Sequence, residues 1–182
     1  MAKLTRDAWL QAGLEALDRQ GYQAVSAQAL ARRLNVTRGS FYHHFASRAD
    51  FVEQLLRRWE LDYTVVVLAD ARAAGEPAAQ LQRYVAIAAK LQPGREVAIR
   101  AWANSDMKVR AVLQRVEGLR LAFARDVARA FLSDARRDSD VESLAQLAYL
   151  GFIGMQHTAL QDERMFVRFF SDLQQLGGRV AA

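Results

Sequence analysis

Thr37, Arg38, Gly39, Ser40, Tyr42 and His43 lie close together in the chain, with Phe41 as the apolar member of the run. Their side chains are short hydroxyls, a guanidinium, a phenol and an imidazole. Hydroxyls and the N–H groups of a helix N-terminus can hold phosphates, and an arginine fork matches the O6/N7 edge of guanine. Gly39 adds a second clue. A glycine inside a helix costs about 1 kcal/mol relative to alanine, and it makes sense where another molecule must approach the backbone closely. The chemistry implied is contact with a DNA major groove. The alternative is a plain exposed polar face, since short patterns of this kind also arise by chance.

The flanking residues explain how such a helix would be presented. Ser26 can accept from an orphan N–H, so it caps a first helix whose apolar residues Ala27, Leu30, Ala31 and Leu34 keep helical spacing. Gln28, Arg32 and Arg33 then face outward. Asn35 enters the left-handed region cheaply and turns the chain, and Val36 pins that turn to the core. Thr37 caps the second helix, Arg38 to about His44, which turns Phe41 and Phe45 inward. The DNA-binding set on this reading is Ser26, Gln28, Thr37, Arg38, Gly39, Ser40, Tyr42, His43 and Arg48. Arg38 reads a base, Tyr42 and His43 lie near the groove, and Ser26, Thr37, Ser40 and Arg48 hold phosphates.

Charge supports a polyanion partner. Net charge is +5 over 182 residues. Residues 1–48 hold seven Lys or Arg (Lys3, Arg6, Arg19, Arg32, Arg33, Arg38, Arg48) against three acids (Asp7, Glu15, Asp18), so most of it sits beside this motif. There is no cysteine, which excludes disulfides and thiol chemistry and fits a reducing compartment. His43 and His44 are adjacent, so they diverge by about 100° on a helix, and His157 is remote. No HExxH, GxSxG, phosphate-loop or dinucleotide pattern occurs. No catalytic residue, metal site or cofactor is expected.

Around the motif the periodicity predicts further helices. Thr5 caps one that runs to Gln20, with Gly13 admitting a close neighbour and Gly21 stopping it. Ser47-x-x-Asp50 resembles a capping box and opens a helix to about Arg72. Ala73–Pro77 is a break. Helices follow over Ala78–Leu91, Glu96–Ala103 and Met107 to about Ala135, the last with an arginine-rich solvated face, and Arg136–Asp140 reads as a charged loop. Ser143–Gln161 has no formally charged residue, yet Gln146, Gln156, His157, Thr158 and Gln161 make it too polar for a membrane span. It must be covered on most sides. Arg164–Leu176 is the last expected helix. The N-terminus lacks an apolar signal region, because Arg6, Asp7 and Gln11 interrupt it, and a cytoplasmic location is expected.

The run Arg6, Trp9, Leu10, Ala12, Leu14, Leu17, Gly21, Tyr22, Val25, Ser26, Leu30, Ala31, Val36, Thr37, Gly39, Ser40, Tyr42, His44, Phe45, Ser47 and Arg48 resembles the DNA-binding head of TetR-type transcriptional repressors. It covers roughly the first third of the chain. Asn35 stands where that family commonly has Gly, and Arg48 where Lys is commoner, making a forked rather than a point-charge phosphate contact. The resemblance implies an all-α, two-part chain. A three-helix head over residues 1–47, with its helix–turn–helix at 26–45, would bind operator DNA. Residues 48–182 would form a regulatory and dimerisation body. It further implies a homodimer on a palindromic operator, with an effector that tilts the fourth helix and releases DNA. Gly151, Gly154, Phe166, Phe169, Phe170 and Leu173 are the expected dimer contacts. Tyr63, Tyr84, Trp102, Phe123, Tyr149, Phe152 and His157 are the expected lining of a pocket for a small apolar effector. The alternative from another class is a helical dimeric protein-interaction module that does not bind an operator.

Overall fold

The computed structural model describes residues 4–132 and 138–157, and beyond them Arg164, Arg168, Phe169, Ser171, Asp172 and Gln175. Among these residues every regular element is helical. In order they are α1 (Arg6–Gln20), a 3₁₀ turn (Tyr22–Ala24), α2 (Ala27–Arg33), α3 (Arg38–Tyr42), α4 (Arg48–Glu60), a π turn (Leu61–Val65), α5 (Val66–Arg72), α6 (Pro77–Ala88), α7 (Pro93–Ala103), α8 (Met107–Phe131) and α9 (Asp138–Gln156). None of the described helices is long and apolar enough to cross a membrane.

Local chemistry sets most helix ends. Thr5 Oγ1 accepts from Ala8 N–H at 3.2 Å and Ser26 Oγ accepts from Ala29 N–H at 3.2 Å, each satisfying a donor that the helix itself leaves unpaired. Gly21 ends α1 at φ 75°, and Asn35 makes the turn after α2 at φ 53°. Both lie in the left-handed region, which glycine and asparagine enter most cheaply. Ser47 Oγ accepts from Asp50 N–H at 3.1 Å, while the Asp50 carboxylate accepts from Ala46 N–H at 2.9 Å, a reciprocal cap. Two prolines open helices rather than only closing what precedes them. Pro77 and Pro93 sit in the first turns of α6 and α7, where a missing N–H costs nothing.

Two expectations are corrected. The helix expected from Ser47 to Arg72 is interrupted by the π turn. The run Thr64, Val65, Val66, Val67 is β-branched and resists close α-helical packing. The Tyr63 carbonyl there is taken up by Arg120 from α8. The loop expected at Arg136–Asp140 is already helical from Asp138, where Asp138 and Asp140 lie in a first turn that favours acids. The expected last helix, 164–176, lies largely outside the described residues, and Phe166, Phe170 and Leu173 with it.

The chain packs as two compact units. The head unit is Met1–Leu61 with Gln92–Gln114, and the body unit is Asp62–Leu91 with Arg115–Ala182. The head unit thus takes in α4 and α7 in addition to α1–α3. Its core is Trp9, Phe41, Phe45, Phe51, Leu55 and Trp59, each at most 1% exposed. Gly13 lets α4 close on α1: a Cβ there would lie 2.8 Å from the Phe51 ring and 3.0 Å from Leu55. At Gly94 an added Cβ would lie 2.6 Å from the Asp18 carbonyl oxygen, so glycine is what allows α7 to dock on the end of α1. The body unit is centred on Val67, Leu68, Ala71, Tyr84, Val85, Phe123, Val127 and Phe152. A smaller apolar cluster of Ala128, Val141 and Ala145 lies in the same unit.

Candidate nucleic-acid interface and ligand pocket

The geometry of α3 follows from its inward residues. Phe41 is fully buried and meets Trp9 edge-to-face at 5.4 Å and Phe51 at 5.2 Å, contacts that add to its area burial. Arg6 reaches the far end of α3. Its Nε and Nη2 donate to the His44 carbonyl at 3.1 and 2.6 Å, and its guanidinium lies 5.3 Å over the Phe45 ring, within range of a cation–π attraction. With both ends held, the outer face of α3 is presented as a unit. Thr37, Arg38, Gly39, Tyr42 and His43 are exposed and Ser40 is half-buried.

Details of that face bear on what it can do. Thr37 occupies the N-cap position, yet its hydroxyl makes no capping bond. Gly39 has room: a Cβ there would find the Thr37 hydroxyl at 3.7 Å as its nearest neighbour, an ordinary contact. Packing among the described residues therefore gives no reason for glycine at this position. Arg38 lies back on Tyr42, with Nη2 3.4 Å from the phenolic oxygen and the guanidinium 5.8 Å over the ring. The Tyr42 phenol raises the pKa of Arg38. Ser26 uses an acceptor lone pair for its cap, which leaves the O–H able to donate to a phosphate. Gln28 is exposed on α2.

Arg48 has a support that its neighbours in sequence do not reveal. Its guanidinium lies 5.9 Å over the Trp102 ring of α7, and Trp102 stacks on Tyr22 at 5.6 Å with 13° between planes. Trp102 therefore belongs to the head unit, not to the pocket expected for it. Arg95 and Glu96 of α7 strengthen the same docking. Arg95 makes a two-point contact to Asp18 at 3.1 and 2.8 Å, and Glu96 accepts from the Trp59 indole at 3.0 Å. The forked, charge-assisted geometry makes the first of these the stronger tie. An Arg95–Glu96 pair at the start of a largely apolar short helix is the one sequence sign of this docking. Asp50, which holds the first turn beside Arg48, has its pKa lowered by the Gln54 amide and then by the Ala46 N–H.

The segment from α1 into α4 also carries the family comparison. The profile described as "Bacterial regulatory proteins, tetR family" matches residues 10–55. That stretch is therefore similar to the DNA-binding region of TetR-family regulators. Over 59 residues it is 36% identical to the transcriptional regulator AcuR of Cereibacter sphaeroides, covering 32% of this chain and 27% of that protein. Over 63 residues it is 29% identical to the HTH-type transcriptional regulator YwcC of Bacillus subtilis, covering 35% and 28%. The chain thus aligns with little more than a quarter of the length of these curated relatives. Solved structures extend the likeness in fold alone. A transcriptional regulator from Rhodococcus sp. Rha1 superposes with a TM-score of 0.74 at 14% identity, over 97% of this chain and 95% of that one. The ketosteroid transcriptional regulator KstR2 of Mycobacterium tuberculosis gives 0.63 at 15% identity, over 93% of each.

In the body unit lies a cavity of about 70 Å³. Tyr84, Phe123, Tyr149 and Phe152, four of the residues named from the sequence for a pocket, line it. So do Phe131 and Arg120, which the sequence pattern does not single out. Tyr63 is buried in the π turn and does not line the cavity. His157 is exposed just past the end of α9 and does not line the cavity either. Of the expected dimer contacts, Gly151 and Phe169 meet within the chain, the Phe169 ring filling the space where a Cβ would stand. Gly154 is open. Leu147 and Leu150 are each 63% exposed. With Gly154 they are spaced i, i+3 and i+7, so the three form one stripe on α9.

Proposed function

We propose that the chain is a DNA-binding transcriptional repressor that acts in the cytoplasm as a homodimer on a palindromic operator and is released by a small apolar effector. Residues 1–47 would carry the DNA contacts and residues 48–182 the regulation and dimerisation. The observation that carries the reading is the outer face of α3, where a Thr37 hydroxyl that makes no cap flanks a glycine that the described packing does not require. Such a face suits phosphates and a close-lying groove. The exposed stripe of Leu147, Leu150 and Gly154 supports a two-fold contact, since a self-complementary apolar patch is what an isologous interface needs. The cavity supports an effector.

The test begins with near-palindromes upstream of the chain's own coding region, with half-sites about 34–36 Å apart. Fluorescence anisotropy should show tight binding that weakens steeply with salt. Sedimentation should give a dimer at micromolar concentration, and Leu147→Glu with Leu150→Glu should give monomers that bind DNA poorly. A protein that binds the near-palindrome no better than unrelated duplex, or that sediments as a monomer, would refute the proposal.

A further inference from the structure

Arg48 opens α4 and is exposed, and among the described residues no hydrogen bond or ion pair ties its side chain down. A free arginine spreads over many rotamers and gives up that freedom when it meets a phosphate. A ring narrows the choice beforehand. The Arg48 guanidinium lies 5.9 Å over the Trp102 ring, within reach of a cation–π attraction, for which tryptophan is the best partner. That attraction acts on the charge and leaves the N–H donors available for phosphate oxygens. The ring itself is held in place. Trp102 is 3% exposed and stacks on Tyr22 at 5.6 Å. Around it the end of α7 is tied off. The Ser105 and Asp106 N–H groups donate to the Trp102 carbonyl at 3.0 and 3.1 Å. Arg110 donates through Nε to the Ala103 carbonyl at 3.0 Å and through Nη2 to the Asn104 carbonyl at 3.1 Å. Carbonyls at this place are the ones a helix leaves unpaired. At the other end of α7, Arg95 grips Asp18 of α1.

Resting on the reading that Arg48 holds a phosphate, we propose that Trp102 is a positioning residue for that contact, so that a helix outside residues 1–47 sets part of the DNA affinity. The pairing gives arginine at position 48 a reason beyond charge. A planar guanidinium stacks on a ring, whereas the ammonium of lysine is a strongly hydrated point charge. Phosphates carry no base identity, so the contribution is the same on every sequence. Trp102 therefore acts on affinity and leaves the base preference of α3 unchanged.

The experiment is fluorescence anisotropy of the full chain on a labelled duplex of mixed sequence over a salt series, with thermal unfolding of every variant. Arg48→Ala should weaken binding and lower the slope of log K against log salt by about 1 per subunit. Trp102→Leu should weaken binding about two- to fivefold for each subunit bound, and should add nothing in the Arg48→Ala background. Trp102→Phe keeps a ring face and should recover most of the loss. A ring that only packs would lower the Tm and weaken binding equally in both backgrounds. That outcome would overturn the proposal, as would a Trp102→Leu variant that binds like the unaltered chain. Should Trp102→Leu fail to fold, Tyr22→Leu removes the half-buried ring that supports Trp102. It should give a smaller loss that again vanishes in the Arg48→Ala background, and a loss that persists there overturns the assignment. The reading beneath is tested separately. An Arg48→Ala variant with unchanged affinity and salt slope removes the phosphate contact and this inference with it. Weakening by Arg48→Ala alone, with Trp102→Leu unchanged, keeps the contact and removes only the role of Trp102.

Discussion

Head and body units both build their cores from aromatic side chains, and they use them differently. In the head unit Trp9, Phe41, Phe45, Phe51 and Trp59 are sealed from solvent, and Trp59 hands its indole N–H to the buried Glu96. In the body unit Tyr84, Phe123, Tyr149 and Phe152 stand around a cavity instead of closing it. One ion pair from each unit shows the same contrast. Arg95–Asp18 in the head unit has side chains 9% and 16% exposed, whereas Arg83–Asp70 in the body unit has 54% and 42%. A solidly packed head suits a surface that must hold α3 in one geometry. A body with unfilled volume suits a part that can take up a ligand and change.

Core truncation puts the greatest stress on this contrast. Phe41→Ala should cost about 3–5 kcal/mol of unfolding free energy, since the ring is packed on every side. Phe152→Ala, with its ring already on the cavity wall, should cost less, and equal losses in urea titrations would remove the contrast. The ion pairs come next. Asp18→Ala should cost about 3 kcal/mol by taking the Asp18 carboxylate from a buried guanidinium. Asp70→Ala should cost no more than about 1 kcal/mol, because that pair is screened by solvent.

Smaller effects test what the head's rigidity serves. Arg38→Ala should weaken operator binding by about 1–3 kcal/mol and relax preference at one base pair per half-site. Gly39→Ala should raise the stability of the free protein by up to about 1 kcal/mol, since the helix gains and nothing is displaced, while weakening DNA binding. An alanine variant that is stabler and binds operator normally would show that the glycine has no role toward DNA. The smallest effect is that of pH. Asp50 has a lowered pKa in the folded chain, so its contribution is fully present above the ordinary carboxylate range and is lost as pH falls through the lowered value. Asp50→Asn should lower stability slightly at neutral pH and flatten that acid limb, the two curves converging at low pH.

Much of the head is legible because its signals are local. Thr5, Ser26 and Ser47 each bond an N–H three residues on, and Asn35 takes its left-handed turn where the pattern predicts it. The exposed face of α3 follows from the inward spacing of Phe41 and Phe45. Trp102 falls outside the region its spacing suggests for the opposite reason. An aromatic at helical spacing announces that it will be buried, not against what.

The order of amino acids alone settles most of the helices, their caps, the polar face of α3 and the basic charge of residues 1–48. Packing in three dimensions decides that α7 joins the head unit, that the helix after Ser47 passes into a π turn, and that Arg120 stands on a cavity wall. Arg95 finds Asp18 across 77 residues and Arg120 finds Thr64 across 56. Capping and turn energies depend on residues within one turn of the chain, so the local sequence contains them. A long-range pairing depends on which of many compatible apolar faces meet, and that choice is made by the packing of the whole chain.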